Sequence, residues 1–268
     1  MTPLPNSSTL SVCILASGSQ GNCIHVSNGS TAILVDAGLS GKEIEHRMAQ
    51  RGLSPANLDA IVVSHEHTDH IQAVGILSRR FHLPVYMTSQ TAVAAAPHLK
   101  NLDSTVSFEC GHRFCINSLT IDPFSISHDA EEPSGFTIQH AGIKIGIATD
   151  LGIVTSLVKT CLADCRLLVL EANHDPDMLM NGPYPWPLKQ RIRGRTGHLS
   201  NKDSCMLLRE LRHAGLQDVI LAHLSETNNT PEKAFSEVGN AIGDFRVRLT
   251  VSTQNVCGDI FTVSSQEP

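Results

Sequence analysis

Residues 64–70 read SHEHTDH, with three histidines, a glutamate and an aspartate in seven positions directly after the apolar run LDAIVV. Neutral imidazole with carboxylate is a ligand set for zinc, and manganese and iron accept it as well. His65 and His67 stand two apart, so on extended backbone their side chains share a face and both reach one ion. Asp69 and His70 open the next helix, where the chain turns and meets the same neighbourhood from another side. The spacing differs from H-E-x-x-H, whose i,i+4 histidines need a helix, and suits a loop wrapped around two metals. Glu66, between two such residues, points away from them.

Three further candidates share one feature: His128, Asp150 and His223 each end an apolar strand, in SIS-His, GIAT-Asp and VILA-His. Strand ends are where open α/β sheets gather their sites. A lone strand-end histidine is ordinarily a satisfied turn residue. Several such positions in one chain, one of them a triple-histidine cluster, favour a metal site.

Alternating strands and helices must carry these residues to one place. SVCILA and CIHVS flank SGSQGN, and TAILVDAG follows the turn NGS, a β-meander with glycine-bearing turns. GKEIEHRMAQRG reads as a helix, with Ile44 and Met48 at i,i+4 spacing and Gly52 past its end. LDAIVVS is a buried strand, DHIQAVGILSRRF one helix, LPVYMTS a strand and SQTAVAAAPHLK a short helix. Residues 103–150 become shorter alternating strands: STVSFECG, then HRFCINSLTIDPFSISH, then GFTIQHAGIKIGIATD across an HAG turn. RLLVLEA, QDVILAH, RVRLTVS and DIFTVSS are strands again, with NKDSCMLLRELRHAG and PEKAFSEVGNAI as helices among them. This predicts one domain over residues 1–268, an α/β fold with an inserted β-rich middle and two facing sheets with helices outside.

Composition narrows the class. The chain is 41% hydrophobic and 17% charged, an ordinary globular balance, and its net charge of −6 excludes a general affinity for nucleic acid. No segment reaches the ~18 apolar residues of a membrane span. The N-terminal stretch MTPLPNSSTLSVCILASGSQ has no cation and only a short apolar run, so a cytoplasmic location is expected. The eight cysteines form no C-x-x-C pair and are expected to be reduced, buried thiols.

The H-x-H-x-D-H motif with later His, Asp and His at strand ends resembles the metallo-β-lactamase superfamily. Within it the chain most resembles the WalJ (YycJ) family, through LASGSQGN, LVDAGLSGKEIE, VVSHEHTDHI, SHDAEEPSGF, ATDLG, LEANHDPDML, YPWPLKQRI, GHLSNKDS and LAHLSETNN. The resemblance implies an αββα sandwich of two mixed sheets holding two divalent metal ions, zinc first, with manganese or iron as alternatives. It implies that His65, His67 and His128 hold the first ion, Asp69, His70 and His223 the second, and that Asp150 bridges them. A hydroxide between the two metals would then be the nucleophile, with Asp69 orienting or deprotonating the water. Asp36 would brace the histidine loop without touching metal.

Metals alone do not choose a substrate, because the superfamily hydrolyses lactams, thioesters, lactones and phosphodiesters. Lys189, Arg191, Arg193 and Arg195 place four cations in seven residues beside His198, either a solvated loop or a phosphate-binding patch. Glu171 and His198 resemble the pair of nuclease branches in which a histidine outside the metal shell protonates the leaving oxygen. The plainer alternative is that Glu171 merely ends a strand and His198 caps a helix. Ser19 and Asn22, in SGSQGN, are candidates to face a substrate phosphate. Tyr184 and Trp186 could stack bases or form a hydrophobic plug, and both readings stay open. His174 sits in the NHD signature without an assigned role, and His25, His46, His82, His98, His112, His140 and His213 are expected at the surface or in turns.

The expected function is therefore a phosphodiesterase or exonuclease acting on DNA or a nucleotide phosphodiester, without a membrane partner. The alternatives are a small-molecule thioesterase or lactonase on the same metals, or a metal-binding regulatory protein.

Overall fold

The computed structural model describes residues 9–265. The first eight residues of the N-terminal stretch, and the outermost residues of the expected 1–268 domain, lie outside that range. The first half runs β1 (Thr9–Ala16), β2 (Cys23–Ser27), β3 (Ala32–Val35), α1 (Gly41–Gln50), β4 (Ala60–Val62), α2 (Thr68–Ile71), α3 (Val74–Phe81), β5 (Pro84–Met87), α4 (Ser89–Leu99) and β6 (Ser104–Ser107). The second half runs β7 (Phe114–Ile116), β8 (Leu119–Ser125), β9 (Ser134–His140), β10 (Ile143–Ala148), α5 (Ser156–Leu162), β11 (Leu167–Glu171), α6 (Pro176–Asn181), α7 (Trp186–Ile192), α8 (Asn201–Leu211), β12 (Asp218–Ala222), α9 (Pro231–Gly239), β13 (Arg248–Val251) and β14 (Ile260–Ser264).

Two seven-stranded sheets result, in the orders β14-β1-β2-β3-β4-β5-β6 and β13-β12-β11-β10-β9-β8-β7. Each is antiparallel through three strand pairs and parallel through the next three. Parallel strands buried on both faces read as continuous apolar runs. On β11, Leu167 and Val169 join the core between the sheets, whereas Leu168 and Leu170 pack outward with Val158 and Leu208 of the flanking helices. On β4 and its neighbours, Val62 faces the inter-sheet core while Ile61 packs outward with Ile44, Met48 and Leu77. The layers are therefore helix, sheet, sheet, helix, and each fully buried Leu, Ile or Val contributes ~1.5–3 kcal/mol.

Several sequence expectations change. DHIQAVGILSRRF is not one helix, because the His70 carbonyl accepts from Ala37 N and Ala73 N donates to Ala37 O, so the loop after β3 takes the groups that would continue it. The run HRFCINSLTIDPFSISH folds back at Asn117, whose φ of 48° suits a tight hairpin between β7 and β8. The β-rich middle is not an insert: β6 closes the first sheet and β7 to β10 begin the second. Helices α5, α6 and α7 were not anticipated, being short; α6 and α7 open with Pro in the first turn, where a missing N–H leaves no hydrogen bond unmade. All eight cysteines are free; five are buried, Cys110 and Cys161 are half-buried and Cys115 is exposed, so the expectation of buried thiols holds only in part.

His25 is the exception among the histidines expected outside: it is buried on β2, and burial lowers its pKa to about 4. The unfolded chain protonates this imidazole near pH 6.5 and the folded one only near 4, so its contribution is complete above pH 6.5 and lost as pH falls between the two. At pH 4 the loss is on the order of 3 kcal/mol. His25→Gln should therefore flatten the fall of the thermal midpoint between pH 7 and pH 4 relative to the parent; parallel curves would exclude this assignment.

Candidate metal centre

The carboxyl ends of the parallel strands meet at one edge, where the loops after β3, β4, β10, β11 and β12 converge on the loop after β8. Asp36, Asp150 and His223 take up left-handed backbone at φ of 61°, 58° and 56°. Such geometry is strained for residues with a Cβ, and strain of this kind concentrates at functional sites.

His65, His67 and His128 bring their ring nitrogens together: His65 Nε2 and His128 Nε2 lie 3.1 and 3.3 Å from His67 Nδ1. The His128 Nδ1–H donates to Gly197 O at 3.2 Å, which turns Nε2 toward the cluster. A second group gathers beside it, Asp69 Oδ2 lying 3.6 Å from His70 Nε2 and 3.8 Å from His223 Nε2. Asp150 stands between the groups, with Oδ2 3.3 Å from His70 Nε2 and Oδ1 3.3 Å from His223 Nε2 and 3.8 Å from His128 Nε2. Buried Asp150 Oδ2 and His223 Nε2 have no hydrogen-bond partner among the described residues. Orphaned donor atoms within a cluster of imidazoles and carboxylates are what a divalent cation would satisfy, so this residue set fits one.

Surrounding groups hold the rings. Asp36 Oδ2 accepts from His70 Nδ1 and from Ser64 Oγ, each at 2.7 Å, and Ser64 Oγ lies 2.9 Å from His65 Nδ1. Glu171 is fully buried and serves two histidines at once: its Oε1 accepts from His198 Nδ1 at 2.7 Å and His223 Nδ1 at 3.1 Å. Its Oε2 accepts from the backbone of Leu151 and Leu199 at 2.7 and 3.2 Å. Burial alone would raise the Glu171 pKa, but His198 and His223 hold it down to about 2. Burial likewise opposes protonation of His223, yet Asp150, Asp69 and Glu171 raise it to about 10. The carboxylates thus demand positive charge at this position, which protons or bound cations can supply.

A family model described as the beta-lactamase superfamily domain matches residues 31–224. An exodeoxyribonuclease YycJ from Bacillus anthracis is 36% identical over 231 residues, covering 85% of this chain and 88% of the relative. An exodeoxyribonuclease WalJ from Streptococcus pneumoniae is 36% identical over 233 residues, covering 85% and 87%. The chain belongs to the WalJ (YycJ) family of the metallo-β-lactamase superfamily. The αββα architecture recurs in the metallo-beta-lactamase fold protein YhfI from Bacillus subtilis, with a TM-score of 0.73 at 16% identity over 94% of this chain and 99% of that one.

In this WalJ-family chain the cluster floors a cavity of about 400 Å³ that His198, Ser19 and Arg191 also line. The other residues expected to meet substrate lie elsewhere. Asn22 is buried and turned inward, its Nδ2 3.3 Å from Asp69 Oδ2 and 3.0 Å from His70 Nε2, so it packs against the cluster rather than facing a phosphate. The basic run is split: Lys189 and Arg191 lie on α7, whose 100° per residue sends them in different directions, whereas Arg193 caps its end and Arg195 lies in the turn that follows. Lys189 is buried and donates to Met180 O and Gly182 O, each at 2.8 Å. Arg193 reaches Met180 Sδ, and Arg195 offers its carbonyl to Ser127 Oγ; neither lines the cavity.

His198 does not cap α8, since Ser200 and Asp203 form that capping box. Glu66 turns away and accepts from Glu131 N. Buried His174 is absent from the cavity wall, and its carbonyl accepts from Asn201 N. Sequence reasoning missed Ser64, Asp129 and Asn173, each of which stands beside a named residue in the chain.

Gly38 sits where a Cβ would collide with the carbonyl oxygen of Asp69. Gly38→Ala should therefore displace the Asp69 loop, destabilising the fold by about 1–3 kcal/mol and lowering bound metal. Calorimetry and elemental analysis would detect both; a variant with parental midpoint and metal content contradicts the prediction.

Proposed function

We propose that this chain is a metal-dependent exonuclease acting on DNA phosphodiesters in the cytoplasm. The observation that carries the reading is His198: it lines the cavity beside the cluster, its ring centroid 5.1 Å from those of His128 and His223, and its Nδ1 is held at 2.7 Å by buried Glu171. A leaving alkoxide requires a proton, and an imidazole held by a carboxylate supplies one. A thioester hydrolase, whose thiolate departs without a proton, has less need of such an acid. The relatives named exodeoxyribonuclease support the same substrate.

His65, His67 and His128 would hold one cation and Asp69, His70 and His223 another, with Asp150 between. Two divalent ions would balance the four carboxylates Asp36, Asp69, Asp150 and Glu171. Bound there, divalent cations supply Lewis acidity to a phosphoryl oxygen and make water a nucleophile at neutral pH. Asp69 orients the attacking water and accepts its proton; burial would raise its pKa, but His223 and His70 keep it a carboxylate. Ser19 and Arg191 contact the phosphate from the walls, and His198 Nε2 delivers the proton to the departing oxygen while Glu171 stabilises the imidazolium.

The test is incubation of zinc-loaded and manganese-loaded protein with end-labelled duplex DNA, beside a chelated control. Stepwise shortening that chelation abolishes is expected. Intact DNA with both metals bound would refute the reading and favour a small-ester substrate.

A further inference from the structure

The cavity has a polar floor and one apolar wall. Leu188, Arg191 and Ile192 occupy i, i+3 and i+4 on α7, a single helix face, and Tyr184 extends it just before the helix begins; all four line the cavity. Trp186, the other aromatic candidate, does not line it and is 53% exposed. The wall is fixed in place. Lys189 ties α7 to the carbonyls that end α6, and Ile192 O accepts from His198 N at 2.9 Å, so wall and proton donor share one backbone unit. Arg191 Nε donates to Asp129 Oδ2 at 2.6 Å, and its two terminal nitrogens have no partner among the described residues.

We propose that this α7 face is a nucleobase subsite. Tyr184, Leu188 and Ile192 receive the flat face of one base, and the free guanidinium nitrogens of Arg191, aimed by Asp129, take an adjoining phosphate oxygen. Hydrolysis of a diester needs only the polar floor, so an apolar wall set against it answers an apolar part of the substrate. A base is flat and apolar on its faces and joined to an anion, which matches a wall with one cation in it. At about 400 Å³ the cavity is the size of a small-molecule site and suits one nucleotide unit rather than a duplex. Stacking reads no hydrogen-bonding edge, so the subsite distinguishes nucleotide from simple phosphodiester without selecting a sequence.

This inference rests on the phosphodiesterase reading and names the part of the nucleotide the wall takes. The test compares thymidine 5′-(p-nitrophenyl phosphate) with methyl p-nitrophenyl phosphate on manganese-loaded protein, and measures thymidine 5′-monophosphate binding by equilibrium dialysis. The parent should prefer the thymidine ester in kcat/KM by roughly 5- to 150-fold, the range corresponding to one stacked base. Tyr184→Ala combined with Leu188→Ala should collapse that preference toward unity, chiefly through KM, and weaken monophosphate binding to match, whereas Tyr184→Phe should keep both. A preference and an affinity unmoved by the double variant overturn the subsite while leaving the nuclease reading intact. If neither diester is cleaved, the nuclease reading falls, and the binding arm alone then decides the wall, against it if affinity ignores Tyr184.

Discussion

Asp150→Asn should reduce phosphodiester hydrolysis at least ~10³-fold, because the cluster's charge stabilisation is worth several kcal/mol and each 1.36 kcal/mol is tenfold in rate. Among the described residues, Asp150 alone lies within ion-pair reach of His70, His128 and His223 together. Asparagine keeps the shape and tolerates the left-handed backbone at φ 58°, so the fold should survive. What it lacks is the negative charge that would draw a cation to the cluster. Metal analysis should show fewer ions per chain, with circular dichroism unchanged. Parental turnover with parental metal content would remove Asp150 from the centre of the mechanism.

The second large effect should depend on the leaving group. His198→Ala should slow cleavage of a dinucleotide by ~10²–10⁴-fold, since an alkoxide cannot depart unprotonated. On a p-nitrophenyl ester, whose phenolate leaves without a proton, the same variant should lose far less. Glu171→Gln should share the dinucleotide defect and add two further consequences. Its amide would set an N–H against the backbone donors of Leu151 and Leu199 or against the two imidazoles, a mismatch costing about 1–3 kcal/mol of stability. It would also loosen His223, lowering metal content. Equal defects of His198→Ala on both esters would deny it the role of acid, and an unchanged thermal midpoint in Glu171→Gln would contradict the mismatch.

The strands were the most legible part of the fold. LDAIVV, GIAT, RLLVLE and VILA are short apolar runs, and in the structure each is buried on both faces of a sheet, where pattern and environment coincide. Boundaries depending on distant backbone were not legible. The break between α2 and α3 exists because Ala37, on another loop, takes the groups of His70 and Ala73. Likewise the strand STVS carries nothing that says which sheet it joins; only its pairing with β5 does.

At the site the contrast has the same cause. Residue type and position were enough to single out His65, His67, Asp69, His70, His128, Asp150 and His223, because metal chemistry admits few side chains and strand ends announce themselves in apolar runs. The direction of a side chain is different, since it depends on the element that carries it. Four cations within residues 189–195 look alike in sequence, yet α7 turns Arg191 into the cavity and buries Lys189 against α6, and it ends before Arg193 and Arg195, which stay outside. Asn22, in a glycine-rich turn, was drawn inward by Asp69 and His70 from a loop far along the chain. Sequence by itself singled out the candidate metal ligands, because donor atoms belong to residue types. Tertiary structure decided which residues face the substrate, because direction is fixed by packing between segments remote in the chain.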